Sequence, residues 1–247
     1  MAGELPDLAQ LKLAAEGGNP VAQFQYGHRI AGTNPAEQFS WFMRSAEQGY
    51  APAEDVVGAR YMYAYGIPTP KTGPILARES ARWTSRAAFQ KLPGSQIRLA
   101  QYYRNGTGLA PDPVKAYMWA QIAFQNPDST AGERMTANGV RDRIIANTSS
   151  NNIREGQRRA DGFSYPAPGE LNPIEMELTV AELKLVGIFQ QGDRTSAAVN
   201  NVRFYVGESK DVKISEHAVR LTCISISTKS ALFSVGGKTQ VTLGLKP

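Results

Sequence analysis

The feature that most constrains this chain is a recurrence. Asn34-Pro35, followed by Phe39 and Trp41, returns 78 residues later as Asp112-Pro113, Tyr117 and Trp119. A short polar residue before proline is a helix-start signal. Its side chain caps free amides, and proline at the first helical position gives up a donor that had no partner there. A third tryptophan, Trp83, lies between the two, so the tryptophans stand 42 and 36 residues apart. That period belongs to helical solenoids, in which helix pairs stack because no pair buries its apolar face alone. With 247 residues the chain has room for such an array and one further small domain.

The clearest unit runs from Ser95 to Phe124. Ile97, Leu99, Ala100, Tyr102 and Tyr103 fall at helical spacings, and Asn105-Gly106-Thr107-Gly108 ends that helix because glycine accepts the left-handed conformation of a helix stop. Ala116, Trp119, Ala120 and Ala123 then form one buried stripe on a second helix. An earlier unit starts at Pro20 and carries Ala22, Tyr26, Gly27 and Ile30 up to Gly32. The middle unit carries Val57-Gly58, Tyr61 and Trp83, with a longer Pro- and Gly-rich connection from Gly66 to Pro74. Gly27, Gly58 and Ala100 on first helices, and Ala46, Ala88 and Ala123 on second helices, are small enough to let the two helices of a pair approach. The tryptophan is expected to fill the space between one pair and the next. Residues 1–19 read as a lead-in, with Leu8, Leu11, Leu13 and Ala14 on a short helix ended by Gly17-Gly18.

On these residues, positions 20–163 resemble Sel-one-like repeats, the tetratricopeptide-related α/α solenoid family. Leu99, Tyr103, Gly106, Gly108, Asp112, Lys115-Ala116, Trp119 and Ala123 match its pattern. The first unit departs at Gln38, where alanine is expected and the turn is short. The second departs in its loop and at Ser80, where we expect a local distortion. The resemblance implies closing helices, which the sequence puts at Thr130–Asn147 and Ser150–Phe163.

Three prolines and a glycine between Phe163 and Pro173 mark a boundary. Beyond it the apolar period changes from 3.6 to 2. Leu183 and Leu185 alternate, then Val202, Phe204 and Val206, Val212 and Ile214, Val219 and Leu221, Ala231, Phe233 and Val235, and Val241, Leu243 and Leu245. Turns are expected at Gln191-Gly192-Asp193, Asn200-Asn201, Ser215-Glu216-His217 and Gly236-Gly237. The predicted organisation is an α/α helical-repeat domain over 1–163, a linker over 164–176 and a small all-β domain over 177–247. That last domain is a barrel or sandwich of six or seven strands. The alternation slips by one at Cys223-Ile224, which predicts a β-bulge with Cys223 partly buried. Leu183-x-Leu-Val-Gly-Ile188, Ala198-Val199-Asn200 and Val206-Gly207 are similar to the β domain of pilus-assembly lipoprotein PilP and a related type II secretion homology region. That resemblance implies docking to envelope-assembly proteins.

The net charge of +5 is spread out. Arg141, Arg143, Arg154, Arg158 and Arg159 are interrupted by Asp142, Glu155 and Asp161, which reads as a solvated helix face rather than a nucleic-acid footprint. No apolar run reaches membrane-spanning length. The N-terminus lacks a basic stretch followed by an apolar one, although a chain whose signal had been removed would look the same. We therefore expect a bacterial periplasm or cell envelope, with the cytoplasm as the alternative.

His28 and His217 fall in different domains without carboxylate or cysteine at ligand spacing, and Cys223 is the lone cysteine. No catalytic residue, metal site or cofactor is expected. In such an array the first helices line the concave groove. The column two residues after the small contact position is Arg29, Arg60 and Tyr102, and its side chains are expected to face that groove and bind a partner. The sequence thus favours a non-catalytic adaptor for a protein or peptide, with the β module as a second contact and its edge strands open to homodimer pairing. The alternative is an envelope-polymer hydrolase or its regulator, with a site at the domain junction.

Overall fold

A computed structural model of the protein describes residues 7–32, 34–67, 73–166, 172–214, 217–237 and 239–245. The chain divides into two compact units, Met1–Asn172 and Pro173–Pro247. The first is helical: α1 (Leu8–Glu16), α2 (Pro20–Arg29), α3 (Pro35–Glu47), α4 (Ala51–Tyr63), α5 (Gly73–Phe89), α6 (Pro93–Asn105), α7 (Pro113–Gln125), α8 (Ala131–Ile145) and α9 (Ser150–Asp161). The caps expected at Asn34 and Asp112 are in place, and Asn19 and Thr130 supply two more. The Asn19 side chain accepts from the Ala22 amide, Asn34 from Ala36 and Glu37, and Asp112 from Val114 and Lys115. Thr130 and Glu133 close a reciprocal capping box on α8. Most of the connection expected from Gly66 to Pro74 lies outside the described residues.

The helices pair as α2/α3, α4/α5 and α6/α7, and the small residues sit where the pairs are tightest. A Cβ on Gly27 would come within 2.8 Å of the Phe42 ring, and one on Gly58 within 2.7 Å of Thr84 Oγ1. The two departures from alanine are compensated at that same contact. Gln38 Nε2 donates to the Gly27 carbonyl at 2.9 Å, and Ser80 Oγ to the Gly58 carbonyl at 2.7 Å. The expected distortion at Ser80 is absent; the residue is buried inside a continuous helix, its hydroxyl satisfied across the pair.

Each tryptophan packs backwards onto the preceding second helix. Trp41 shares a cluster with Leu11 and Ala15 of α1, and Trp83 with Phe39, Phe42 and Ala46 of α3. Trp119 stands 5.0 Å edge-on from Phe89 of α5. The lead-in helix therefore serves as the second helix of an additional layer, with Gln10 exposed at the register where the pairs carry tryptophan. At the other end α9 lies against α7, close enough that a Cβ on Gly156 would stand 3.0 Å from Tyr117 and from the Val114 carbonyl.

A second repeated contact clasps each pair at its end. Gln23, Glu54 and Gln96 occupy the register four residues before Gly27, Gly58 and Ala100, and all are buried. Gln48 donates to Gln23 at 2.8 Å, Gln90 to Glu54 at 2.7 Å and Asn126 to Gln96 at 3.0 Å. Gln23 and Gln96 in turn donate to the carbonyls of Ala15 and Ala88, eight residues before each. Amide side chains suit this position because one group donates and accepts at once.

The second unit opens with a helix, α10 (Pro173–Glu182), where the sequence suggests a linker running into a strand. Ile174 and Leu178 are buried, and Met176 packs on the β core. Seven strands follow: β1 (Leu185–Gln191), β2 (Arg194–Val199), β3 (Val202–Tyr205), β4 (Ser209–Ile214), β5 (His217–Ile226), β6 (Ser230–Val235) and β7 (Thr239–Gly244). They form two antiparallel meanders, β1-β2-β3 and β4-β5-β6-β7, rather than a closed barrel. One core spans both sheets, and Phe204 meets Phe233 across it at 5.2 Å. The expected bulge is present. Cys223 pairs with Phe233 and Ser225 with Leu232, leaving Ile224 as the extra residue. Cys223 is fully buried rather than partly so. Of the expected turn at Ser215-Glu216-His217, the first two residues lie outside the described set.

Candidate interaction surface on the first helices

The expected column does not stand as three free side chains. Arg29 is exposed, Arg60 is half-buried and Tyr102 is 3% exposed. Arg60 and Tyr102 both reach back one pair. Arg60 Nη2 donates to Gln38 Oε1 at 2.9 Å, and Tyr102 Oη shares a 2.7 Å hydrogen bond with Ser80 Oγ. Since Gln38 and Ser80 already hold the carbonyls of Gly27 and Gly58, Arg60 and Tyr102 each latch their own pair onto the contact inside the preceding pair. Tyr102 is thus part of the interior, and burial pushes its phenol above its usual range, with the Ser80 hydrogen bond opposing. The signal for these latches is in the sequence: Gln38 to Arg60 and Ser80 to Tyr102 are both 22 residues apart.

Around Arg60 the latch opens into an aromatic patch. The guanidinium lies 5.0 Å over the Phe42 ring and 4.8 Å over that of Tyr65. His28 meets Phe42 at 4.9 Å and Phe24 at 4.5 Å, and Phe24 continues to Tyr50 at 5.4 Å. At and just past the end of α4, Tyr63 and Tyr65 are 80% and 52% exposed, and Met62, on another side of that helix, is 41% exposed. Desolvation, reinforced by Arg60, lowers the His28 pKa, and burial lowers that of Arg60. Further along the first helices, Asp55 of α4 accepts from Arg98 of α6 at 2.7 Å and also from the Ser95 hydroxyl, so that charge is compensated.

Two clefts among the described residues bear on function. One of about 410 Å³ lies among Tyr103, Arg104, Asp112, Arg143, Asn147 and Thr148, where the Asp112 carboxylate is already committed to capping α7. The other, about 540 Å³, lies in the β unit among Arg194, Thr195, Tyr205, Val206, Glu208 and Ile226. Among the described residues no group of three His, Cys, Asp or Glu is arranged to hold a metal. The side chain of His217 lies outside the described set. Of the arginine run on the closing helices, Arg143, Arg154, Arg158 and Arg159 are exposed, the last two both pairing with Glu155 at 2.7 Å and holding its carboxyl down at about 2, whereas Arg141 is half-buried over the Phe124 ring. Among the described residues no helix is long and apolar enough to cross a membrane.

This architecture is an SLR-fold solenoid joined to a two-sheet β unit. A protective antigen present in uropathogenic Escherichia coli strains, whose crystal structure displays an SLR fold, matches with a TM-score of 0.56 at 19% identity over 76% of this chain. A Sel1 repeat protein from Oxalobacter formigenes is 28% identical over 55% of the chain, with a TM-score of 0.46. Among curated proteins, chitin synthase regulatory factor 3 of Schizosaccharomyces pombe is 30% identical over 96 residues. The chain spans 38% of the length of the antigen and 10% of that of the yeast factor. No protein-family model matches the chain.

Proposed function

We propose that this protein is a non-catalytic adaptor that holds a protein or peptide partner on its first-helix face, with the β unit as a second contact. The observation that carries this reading is the pair Tyr63 and Tyr65, 80% and 52% exposed at and just past the end of α4, with the Tyr65 ring 4.8 Å from the Arg60 guanidinium. Soluble proteins seldom leave such groups together on the surface without a partner for them, and tyrosine and arginine dominate interaction hot spots. The likeness of 96 residues to a factor named for regulating an enzyme supports a regulatory adaptor, one that acts by binding. Strands β1, β3, β4 and β7 are the sheet edges at which a second copy could pair.

Photocrosslinking tests the reading. A photoreactive residue replacing Gln25 or Gln101 on first helices should give one discrete adduct in cells, and the same group replacing Ser40 or Glu47 on α3 should not. Adducts of equal yield from both faces would contradict it.

A further inference from the structure

The charge on the patch around Arg60 is uncompensated, and this indicates what the partner carries. Arg60 is half-buried, yet its two protein acceptors are neutral: Gln38 Oε1 at 2.9 Å and the Pro35 carbonyl at 3.4 Å. Arg141 is held in the same way, by the neutral amides of Gln121 and Asn138 over the Phe124 ring, but other arginines of the helical unit have a counter-charge. Arg98 is matched by Asp55, and Arg158 and Arg159 share Glu155. Among the described residues no carboxylate lies within ion-pair distance of Arg60 or Arg29. Removing a guanidinium partly from water without a counter-charge is costly, and a charge-assisted bond to a carboxylate is the strongest way to offset that cost. Only two of the five guanidinium N–H groups are engaged, which leaves donors for a carboxylate. The rings of Phe42 and Tyr65 fix the plane of the guanidinium, so the fork is already oriented. Exposed Tyr65, against the guanidinium, and exposed Tyr63, three residues after Arg60 and so on the same side of α4, supply an aromatic shelf beside it.

We propose that this patch, built by Phe42, Arg60 and Tyr65 with His28 at its rim, binds an acidic segment of a partner protein. A carboxylate is held by Arg60, and a neighbouring aromatic or aliphatic side chain lies on Tyr63 and Tyr65. The inference rests on the first-helix reading above and gives it a chemistry. His28 is a built-in reporter, since a carboxylate at Arg60 removes the cation's effect on the imidazole and raises its pKa.

The probe is a fluorescein-labelled peptide of alternating Glu and Tyr, titrated onto the full chain by anisotropy. Companion peptides carry Gln or Lys in place of Glu. The expected result is saturable binding of the Glu peptide alone, weakened at least tenfold by Tyr63→Ala and by Tyr65→Ala, two exposed positions whose change should not disturb the fold. Arg60→Gln should abolish it, and the His28 imidazole resonances should titrate at higher pH with peptide bound. Equal binding of the Lys or Gln peptide, no saturable binding, or affinity unchanged in both surface variants would overturn the proposal. Affinity unchanged in those variants but lost on Arg98→Ala or Gln101→Ala would overturn this patch while leaving the first-helix face intact.

Discussion

At the scale of single residues, the turns show where glycine is needed and where the chain does without it. Gly106 ends α6 with φ 74°, and the register-equivalent residue at the end of α4 is Ala64 with φ 52°. Left-handed backbone costs a residue with a Cβ about 1–2 kcal/mol, part of which glycine loses again as unfolded-state entropy. Ala64→Gly should therefore raise stability by about 0.5–1 kcal/mol in urea melts. Gly108 has no such freedom to change. With φ at 69° and a Cβ only 2.1 Å from the Ala77 carbonyl oxygen, Gly108→Ala should cost more than about 2 kcal/mol. The second glycine of the Gly-x-Gly is thus a packing contact as well as a stop, and Gly66 repeats it against the Pro35 carbonyl. His28 gives a pH prediction. Its folded pKa lies below the ordinary 6.5, so the native state binds its proton less readily than the unfolded chain. Its contribution is intact above that value and is lost as pH falls from 6.5 towards the lowered folded pKa. Comparing the urea midpoint near pH 7 and near pH 5, His28→Gln should lose less on acidification than the parent chain.

At the scale of elements, stability depends on contacts that repeat. The clasp of Gln96, Asn126 and the Ala88 carbonyl is buried and satisfied, so Gln96→Leu leaves buried polar groups stranded, at about 1–3 kcal/mol. Gln48→Ala, at an exposed helix end, should cost well under half as much in the same melts. What was legible here was local. The caps at Asn34 and Asp112, their proline starts and the slip at Cys223-Ile224 are all written within a few residues, and each lies where the sequence puts it. The latches have a sequence signal too, a shared spacing of 22 residues, but its meaning becomes visible only once the pairs are stacked. Hence Tyr102 was expected at the groove and lies in the interior. Helix α10 had a local signal that was masked by its setting. Asn172-Pro173 repeats the start seen at Asn34-Pro35, but the prolines before it read as linker.

At the scale of the whole helical unit, each pair completes the apolar surface of the one before it through its tryptophan, its clasp and its latch. The aromatic patch depends on this, since Arg60 of the second pair lies over Phe42 of the first. The surfaces proposed to bind partners are therefore products of stacking, and an isolated pair would not carry them. Trp83 tests the point because it is fully buried between pairs, and Trp83→Ala should cost about 3–5 kcal/mol. The most direct measurement is native-state amide hydrogen exchange on the full chain carrying that substitution. Stacked pairs predict that protection falls together in α2/α3 and α4/α5, on both sides of the lost indole. Loss confined to α4/α5, with α2/α3 as protected as before, would contradict the account.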